Sequence, residues 1–389
     1  MNNVVYVVRC PDYDRADERV QELVALMSGM AAYVPPGERA ALKVNLLSAS
    51  APEQAVTTHP AVAGAVGQLV NEAGAEPFLI DSPSGAYAHS RSSLEKVYRA
   101  AEMDRAASEA GLALNYDTDY QAVSFPDGKL IKHFELMTPL LQAGVIINLP
   151  KLKTHALMSM TGGVKNLFGA IPGRIKPGYH AKLTEKGLFA RMLLDLMDCL
   201  GPRLTIMDAV VGMEGDGPGN GDPRPVGLLL GAENPLALDV VVGEIMGLDR
   251  ADNPLLVEAA ATGRGPTRLE EVELVGIDPE ELRISDFRLP STHVPGTELT
   301  SGSWWQNLIS PLFKSSLTLR PEVVPEDCVA CEDCLRICPQ EVITLEDDRE
   351  HPYAWIDDEG CIRCYCCHET CPQDAIELKK SLLYRLVMG

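Results

Sequence analysis

Nine of the eleven cysteines in this 389-residue chain fall between Cys328 and Cys371. Eight of them form one pattern written twice. The first run is Cys328-x-x-Cys331-x-x-Cys334-x-x-x-Cys338-Pro339, and the second is Cys361-x-x-Cys364-x-x-Cys367-x-x-x-Cys371-Pro372. Three thiolates at this spacing wrap one four-iron cube, and the fourth, before proline, reaches the other cube. The spacing therefore predicts two [4Fe–4S] clusters. Cys328, Cys331, Cys334 and Cys371 hold one, and Cys361, Cys364, Cys367 and Cys338 hold the other. Structural zinc is the rival chemistry, but a zinc site needs four ligands and has no use for a doubled run ending in proline. Cys366 is extra to the register and reads as a buried neighbour. Cys10 and Cys199 read as core residues.

Residues 321–380 hold 16 acids against 5 Lys and Arg, a balance of 5 − 16 = −11. Negative surroundings disfavour an added electron, so they predict low reduction potentials.

A second kind of chemistry is written in residues 150–191. Lys151, Lys153, Lys165, Arg174, Lys176, Lys182, Lys186 and Arg191 stand against Glu185 alone, a balance of +7 in a chain of net charge −21. This island follows an apolar strand, and ligands of open α/β sheets bind beyond such strand ends. The Gly162-Gly163 step offers backbone N–H groups, and the helix after it offers a positive N-terminus. The expectation is an anion site for a carboxylate, phosphate or nucleotide-like group. A solvated basic face or a dock for the acidic tail is the alternative. Neither a P-loop nor a Gly-x-Gly-x-x-Gly dinucleotide site is present.

The expected catalytic groups are His155, Lys153 and Lys165. Substrate is expected to touch Lys151, Asn166, Gly162 and Gly163, joined by polar residues that close other strands: Lys43, Asn45, Asp81, Asp208 and Glu214. Asp and Gly also make ordinary turns, so these depend on convergence at one sheet edge. His59, ahead of Pro60, reads as a helix cap, with an acid–base role as the alternative.

The elements that must position these residues are short and apolar. Strands are predicted at Val4–Val8, Ala41–Asn45, Pro77–Ile80, Val145–Leu149, Leu204–Met207 and Val226–Leu230. Helices are predicted at Asp17–Met30, Pro60–Ala73, Ser92–Gly111, Lys182–Leu200 and Leu236–Met246. Apolar strands alternating with helices imply an α/β fold, a mainly parallel sheet with helices on both faces. The expected division is an α/β domain over 1–290, a linker over 291–320 containing Trp304 and Trp305, and a small α+β ferredoxin-like domain over 321–389. That last part is expected to carry a hairpin within Pro339–Gly360, placed to dock on the large domain, and a closing helix over Asp374–Met388.

The composition is 46% hydrophobic and 23% charged, as in ordinary globular proteins. The acidic balance argues against nucleic acid or anionic membrane as partner. No stretch is long enough for a membrane span, and MNNVVYVVRC reads as a first strand rather than a secretory leader. A cytoplasmic protein with a redox partner protein is the expectation.

The run Asn148-Leu149-Pro150-Lys151-Leu152-Lys153-Thr154-His155, then Gly163-Val164-Lys165-Asn166-Leu167-Phe168-Gly169, with Met213-Glu214-Gly215 beyond, resembles the domain of unknown function 362 (DUF362) family. The tail Cys361-Ile362-Arg363-Cys364-Tyr365-Cys366-Cys367-His368 is similar to that of its iron–sulfur members. The resemblance implies an α/β domain joined to a two-cluster ferredoxin, and it supplies no reaction or substrate. The expected function is a ferredoxin-linked oxidoreductase passing low-potential electrons to a small anionic molecule. A non-catalytic electron-transfer partner and a cluster or metal maturation scaffold are the alternatives.

Overall fold

The computed structural model describes residues 2–293, 318–346 and 351–380. Twelve strands precede the tail: β1 (Val4–Arg9), β2 (Arg39–Lys43), β3 (Glu76–Ile80), β4 (Ala113–Leu114), β5 (Tyr120–Ser124), β6 (His133–Met137), β7 (Val145–Asn148), β8 (Lys151–His155), β9 (Ser159–Thr161), β10 (Leu204–Glu214), β11 (Asp222–Ala232) and β12 (Glu273–Val275). Ten of them form one sheet in the order β12-β1-β11-β10-β7-β2-β3-β4, with β8 paired to β10 and β9 to β8. The β11 pairings to β1 and β10 and the β8–β9 pairing are antiparallel, and the remaining pairs run parallel. The sheet is mixed and mostly parallel, as the sequence implied. The β5–β6 hairpin lies outside it and was not foreseen.

Burial alternates along the strands between two faces. Ala40, Leu42 and Leu79 share a core with α1 (Ala16–Leu26), α2 (Pro60–Glu72), α3 (Arg91–Ala100) and α4 (Met103–Ala110). Ala41, Phe78 and Ile80 face the other core, which includes residues of α5 (Thr138–Leu141), α6 (Gly163–Asn166), α8 (Lys186–Leu200), α9 (Pro235–Met246) and α10 (Pro254–Ala261). Both faces are covered, which explains strands that read as continuous apolar runs. His59 caps α2, its Nδ1 accepting from Ala61 N at 3.2 Å, with Pro60 at the first helical position.

Two predicted helices differ. Ser92–Gly111 is broken into α3 and α4. The buried stripe Leu94, Val97, Tyr98, Ala101 then slips to Met103, Ala106, Ala107 and Ala110. Glu102 takes a left-handed turn (φ 54°) to absorb the slip. The helix expected from Lys182 starts at Lys186, after a separate short helix α7 (Lys176–Lys182).

After β7 the chain steps through Leu149-Pro150 and resumes as β8, so Lys151 and Lys153 sit inside the sheet rather than in a loop. Lys151 is in register with Asp208 of β10. Its Nζ lies 2.8 Å from Asp208 Oδ2 and donates to Tyr13 OH at 2.7 Å. Asp208 also accepts from Tyr13 OH (3.0 Å), His59 N (2.8 Å) and Val210 N (3.2 Å). Both charged side chains are fully buried, so their bonds must offset desolvation.

The tail pairs β13 (Arg320–Val323) with β16 (Ile376–Lys379), and β14 (Ile343–Glu346) with β15 (Tyr353–Ile356). The expected hairpin exists. The closing helix does not begin at Asp374, because Ile376–Lys379 is a strand held by its ladder to Arg320–Val323. Residues 381–388 of that expectation lie outside the described residues, as does most of the expected linker, including Trp304 and Trp305. The two cysteine runs fold alike. Ala330, Glu332 and Glu341 have positive φ (51°, 64°, 55°), and so do their counterparts Arg363, Tyr365 and Asp374 (57°, 61°, 51°). Left-handed non-glycine residues repeated in register mark a backbone curled round something.

Removing one partner of the buried pair leaves an uncompensated charge. Asp208→Ala is expected to destabilise the chain by about 3–5 kcal/mol, and Tyr13→Phe by about 1 kcal/mol. Urea unfolding followed by circular dichroism checks both values.

Candidate functional site

The carboxyl ends of β2, β3 and β8, with α6 and α7, wall a cavity with about 650 Å³ of empty space, open solvent at its mouth included. Three lysines line it. Lys153 is buried, and its Nζ donates only to Val56 O at 2.7 Å. Lys176 is buried and donates to the carbonyls of Ser82 and Pro83. Lys165 is half-buried at the opening turn of α6. Among the described residues none of the three has a carboxylate within ion-pair distance. Burial lowers all three ammonium groups from the ordinary lysine range. Lys176 comes down to about 7, with Asp81 opposing the shift.

Asn45, Asp81 and Asn166 also line the cavity. Asn166 is locked by Asn45 (2.9 Å) and by Asn148 (2.8 Å). Asp81 holds Lys43, whose Nζ lies 2.7 Å from Oδ1. A Cβ at Gly169 would overlap both of those charged groups, so only glycine fits there. Ser84 Oγ, Thr161 Oγ1, His180 Nδ1 and Asn45 Oδ1 are buried without a hydrogen-bond partner, and all four residues are in the wall. Burial and Lys165 push His180 down to about 3, so its ring is neutral. Unpartnered polar atoms on a shared wall suit a polar ligand.

Other expected site residues do not line this cavity. Lys43 and Lys151 are bound to Asp81 and Asp208, and Asp208 is saturated by its four donors. Glu214 binds Arg288 at the far end of β10, 2.9 Å from Nε. The Gly162-Gly163 step was expected to bind an external anion. An internal one is already there: Asp239 accepts from Gly163 N and from Val164 N (3.1 Å). Burial raises that carboxyl to about 7. A Cβ at Gly162 would overlap the same carboxylate. His155 is buried at the end of β8 outside the wall. Leu157 N (3.1 Å) and Met158 N (3.4 Å) donate to its Nδ1, which leaves the proton on Nε2.

The opposite wall comes from the tail. Ile337, Cys366 and Glu369 close the cavity. His155 Nε2 lies 3.3 Å from Glu369 Oε1, off the line of a hydrogen bond. The helix Cys366–Thr370 makes the contact with the large domain: Asn220 Nδ2 donates to His368 O (2.8 Å), and His368 Nε2 lies 3.2 Å from Asp216 O. These contacts run through the second cysteine run, not through the β14–β15 hairpin expected to dock.

The eight cysteines surround two further spaces. Cys328, Cys331, Cys334 and Cys371 line one. Cys338, Cys361, Cys364 and Cys367, with Cys366, line the other. Each set draws its fourth cysteine from the other run. Among the described residues no three His, Cys, Asp or Glu side chains converge as a single metal ion requires. Sulfurs standing round a space fit a cube instead. Backbone N–H groups of Ala354 and Ala375 point at Cys328 Sγ (3.5 Å) and Cys371 Sγ (3.2 Å), as thiolate ligands require. Burial and the neighbouring sulfurs push Cys334 up to about 12, a penalty that bound iron relieves.

Sequence reasoning missed Lys176, His180, Ser84 and Glu369 as wall residues. Lys176 and His180 carried a signal, since both belong to the basic island. Glu369 carried none, because only the packing of tail on sheet brings it there.

The DUF362 family pattern, described as a domain of unknown function, matches residues 40–244. A 4Fe–4S dicluster domain matches residues 327–375, so iron–sulfur chemistry of the 4Fe–4S type belongs to the tail. Thylakoid-associated protein sll1697 of Synechocystis sp. is 36% identical over 283 residues, covering 71% of this chain and 84% of that protein. The lactate racemase apoprotein of Thermoanaerobacterium thermosaccharolyticum aligns with TM-score 0.38 and 10% identity over 61% of this chain and 55% of its own. That likeness is too slight to bear on function. Among the described residues no helix is long and apolar enough to cross a membrane. By its matched core, and by a relative sharing more than a third of the aligned residues, the chain belongs to the DUF362 family.

Proposed function

We propose that this chain is a cytoplasmic iron–sulfur protein that delivers low-potential electrons to a small anionic molecule held against Lys153, Lys165 and Lys176. Two [4Fe–4S] clusters, one in each cysteine set, supply the electron-transfer chemistry when bound. One observation carries the reading: the lysine cavity and the second cysteine space share a wall residue, Cys366. A molecule in the cavity lies one side chain from that set.

The protein's own groups divide the work. The lysines, lacking carboxylate partners, neutralise the ligand. Asn45, Thr161 and Ser84 orient it through unpartnered polar atoms, while Phe168 and Leu46 line the same space. Lys176, with a midpoint near neutrality, is the best-placed proton donor. This role replaces the one first expected for His155, whose ring is turned to the backbone and Glu369. A purely internal dock has less support, since among the described residues no ion pair joins these lysines to the acidic tail.

Anaerobic purification followed by iron assay and native mass spectrometry tests the reading. The expected content is about eight irons per chain, two four-iron cubes, plus the mass of a retained anion. Lys165→Met with Lys176→Met is expected to keep the iron and lose the anion. An anion retained by that variant rejects the cavity.

The pH dependence has a definite sign. Lys176 is charged below about 7 and neutral above it. Binding of succinate, followed by calorimetry, is therefore expected to weaken as pH rises. The loss is about tenfold between about pH 6 and about pH 8, following the charged fraction. Lys176→Met removes that part of the fall and leaves the part due to Glu369, whose carboxyl burial raises to about 8 in the same wall.

A further inference from the structure

The two cysteine sets sit in different electrostatic surroundings. Between Cys328, Cys331 and Cys334 the chain places Val329, Ala330, Glu332 and Asp333, with two acids and no cation. The matching residues between Cys361, Cys364 and Cys367 are Ile362, Arg363, Tyr365 and Cys366, with one cation and no acid. The fold preserves the difference. Cys331 is exposed and Val329 is 56% exposed, so water reaches the first set. Arg336 is drawn onto Glu332 (3.4 Å), Asp333 (2.6 Å) and the Cys331 carbonyl (2.7 Å), so its charge is met by two acids.

In the second set no cysteine is exposed. The Arg363 side chain is 12% exposed and lies 2.6 Å from Asp358, which is itself half exposed. On the other side, Cys366 separates this set from the cavity that Lys165 lines. Glu359 is exposed and Asp357 partly so, where water screens them, and Glu369 stands on the cavity side beside Lys153 and Lys165.

We propose that Arg363 and Lys165 hold the cluster of Cys338, Cys361, Cys364 and Cys367 at a higher reduction potential than that of Cys328, Cys331, Cys334 and Cys371. An added electron then rests at the cavity end of the tail rather than at its exposed end. Reduction adds one negative charge to a cluster, and a buried cation stabilises that charge far more than a solvated acid opposes it. The inference rests on the two-cluster reading above and assigns it a direction. Neither residue is a cluster ligand, and both act through their positive charge.

The test is a redox titration of the full chain, purified without air and followed by electron paramagnetic resonance, with iron assayed in parallel. Two separate midpoints are expected. Arg363→Gln lowers only the upper one, Arg363→Lys restores it, and Lys165→Met lowers the same one. Glu332→Gln with Asp333→Asn raises only the lower one. A single shared midpoint overturns the proposal, and so does an upper midpoint indifferent to both cation changes. If Arg363→Gln loses iron, Lys165→Met decides, since Lys165 lies outside the cysteine loops. A normal split in protein that retains no anion supports the proposal while rejecting the cavity ligand. Iron near four per chain overturns both together, and the iron assay alone identifies that case.

Discussion

The site depends on how buried lysines are neutralised. Five lysines reach the carboxyl ends of the strands or the helices beside them, and burial lowers each ammonium group. Lys43 and Lys151 are matched by Asp81 and Asp208 from neighbouring strands. Those pairs are architecture: they fix the register of β2, β3, β8 and β10 and bring Tyr13 and His59 against the sheet. Among the described residues the other three have no such partner, and they line one cavity. Burying unmatched charge is costly, and that cost lowers all three ammonium groups, Lys176 to about 7.

The same division explains why the glycine step is not the anion site. Helix N-termini attract negative charge, but Asp239 already occupies that position at the start of α6. The carboxylate fixes α6, and α6 in turn presents Lys165 and Asn166 to the cavity. A motif that reads as a ligand contact is therefore one shell behind it. His155 shows a similar shift. Its ring, held by two backbone N–H groups, abuts Glu369 and so ties the sheet to the tail.

The tail contributes more than its cysteines. Its second run supplies the helix that packs on the sheet, so the extra Cys366 becomes a shared wall between two spaces. The first run, with its acids and exposed Cys331, faces water. A duplicated motif thus serves two unequal positions, and the inequality lies in the residues between the ligands.

Much of this was legible in the residues themselves. The cysteine spacing names the cluster chemistry, because ligand reach is local geometry. Val- and Leu-rich runs between helices specify a sheet covered on both faces, because burial sets composition. The basic island marks the site's neighbourhood, because eight cations against one acid in an acidic chain require a reason. What the residues could not reveal was which cations are free. That depends on Asp81, Asp208 and Asp239, which come from distant segments and become partners only when strands pair and helices dock. The breaks at Glu102 and Lys186, the continuation of the sheet through β8, and the arrival of Glu369 at the cavity are equally tertiary. In each case long-range packing overrides a local preference, and that packing separates structural lysines from those that can meet a ligand.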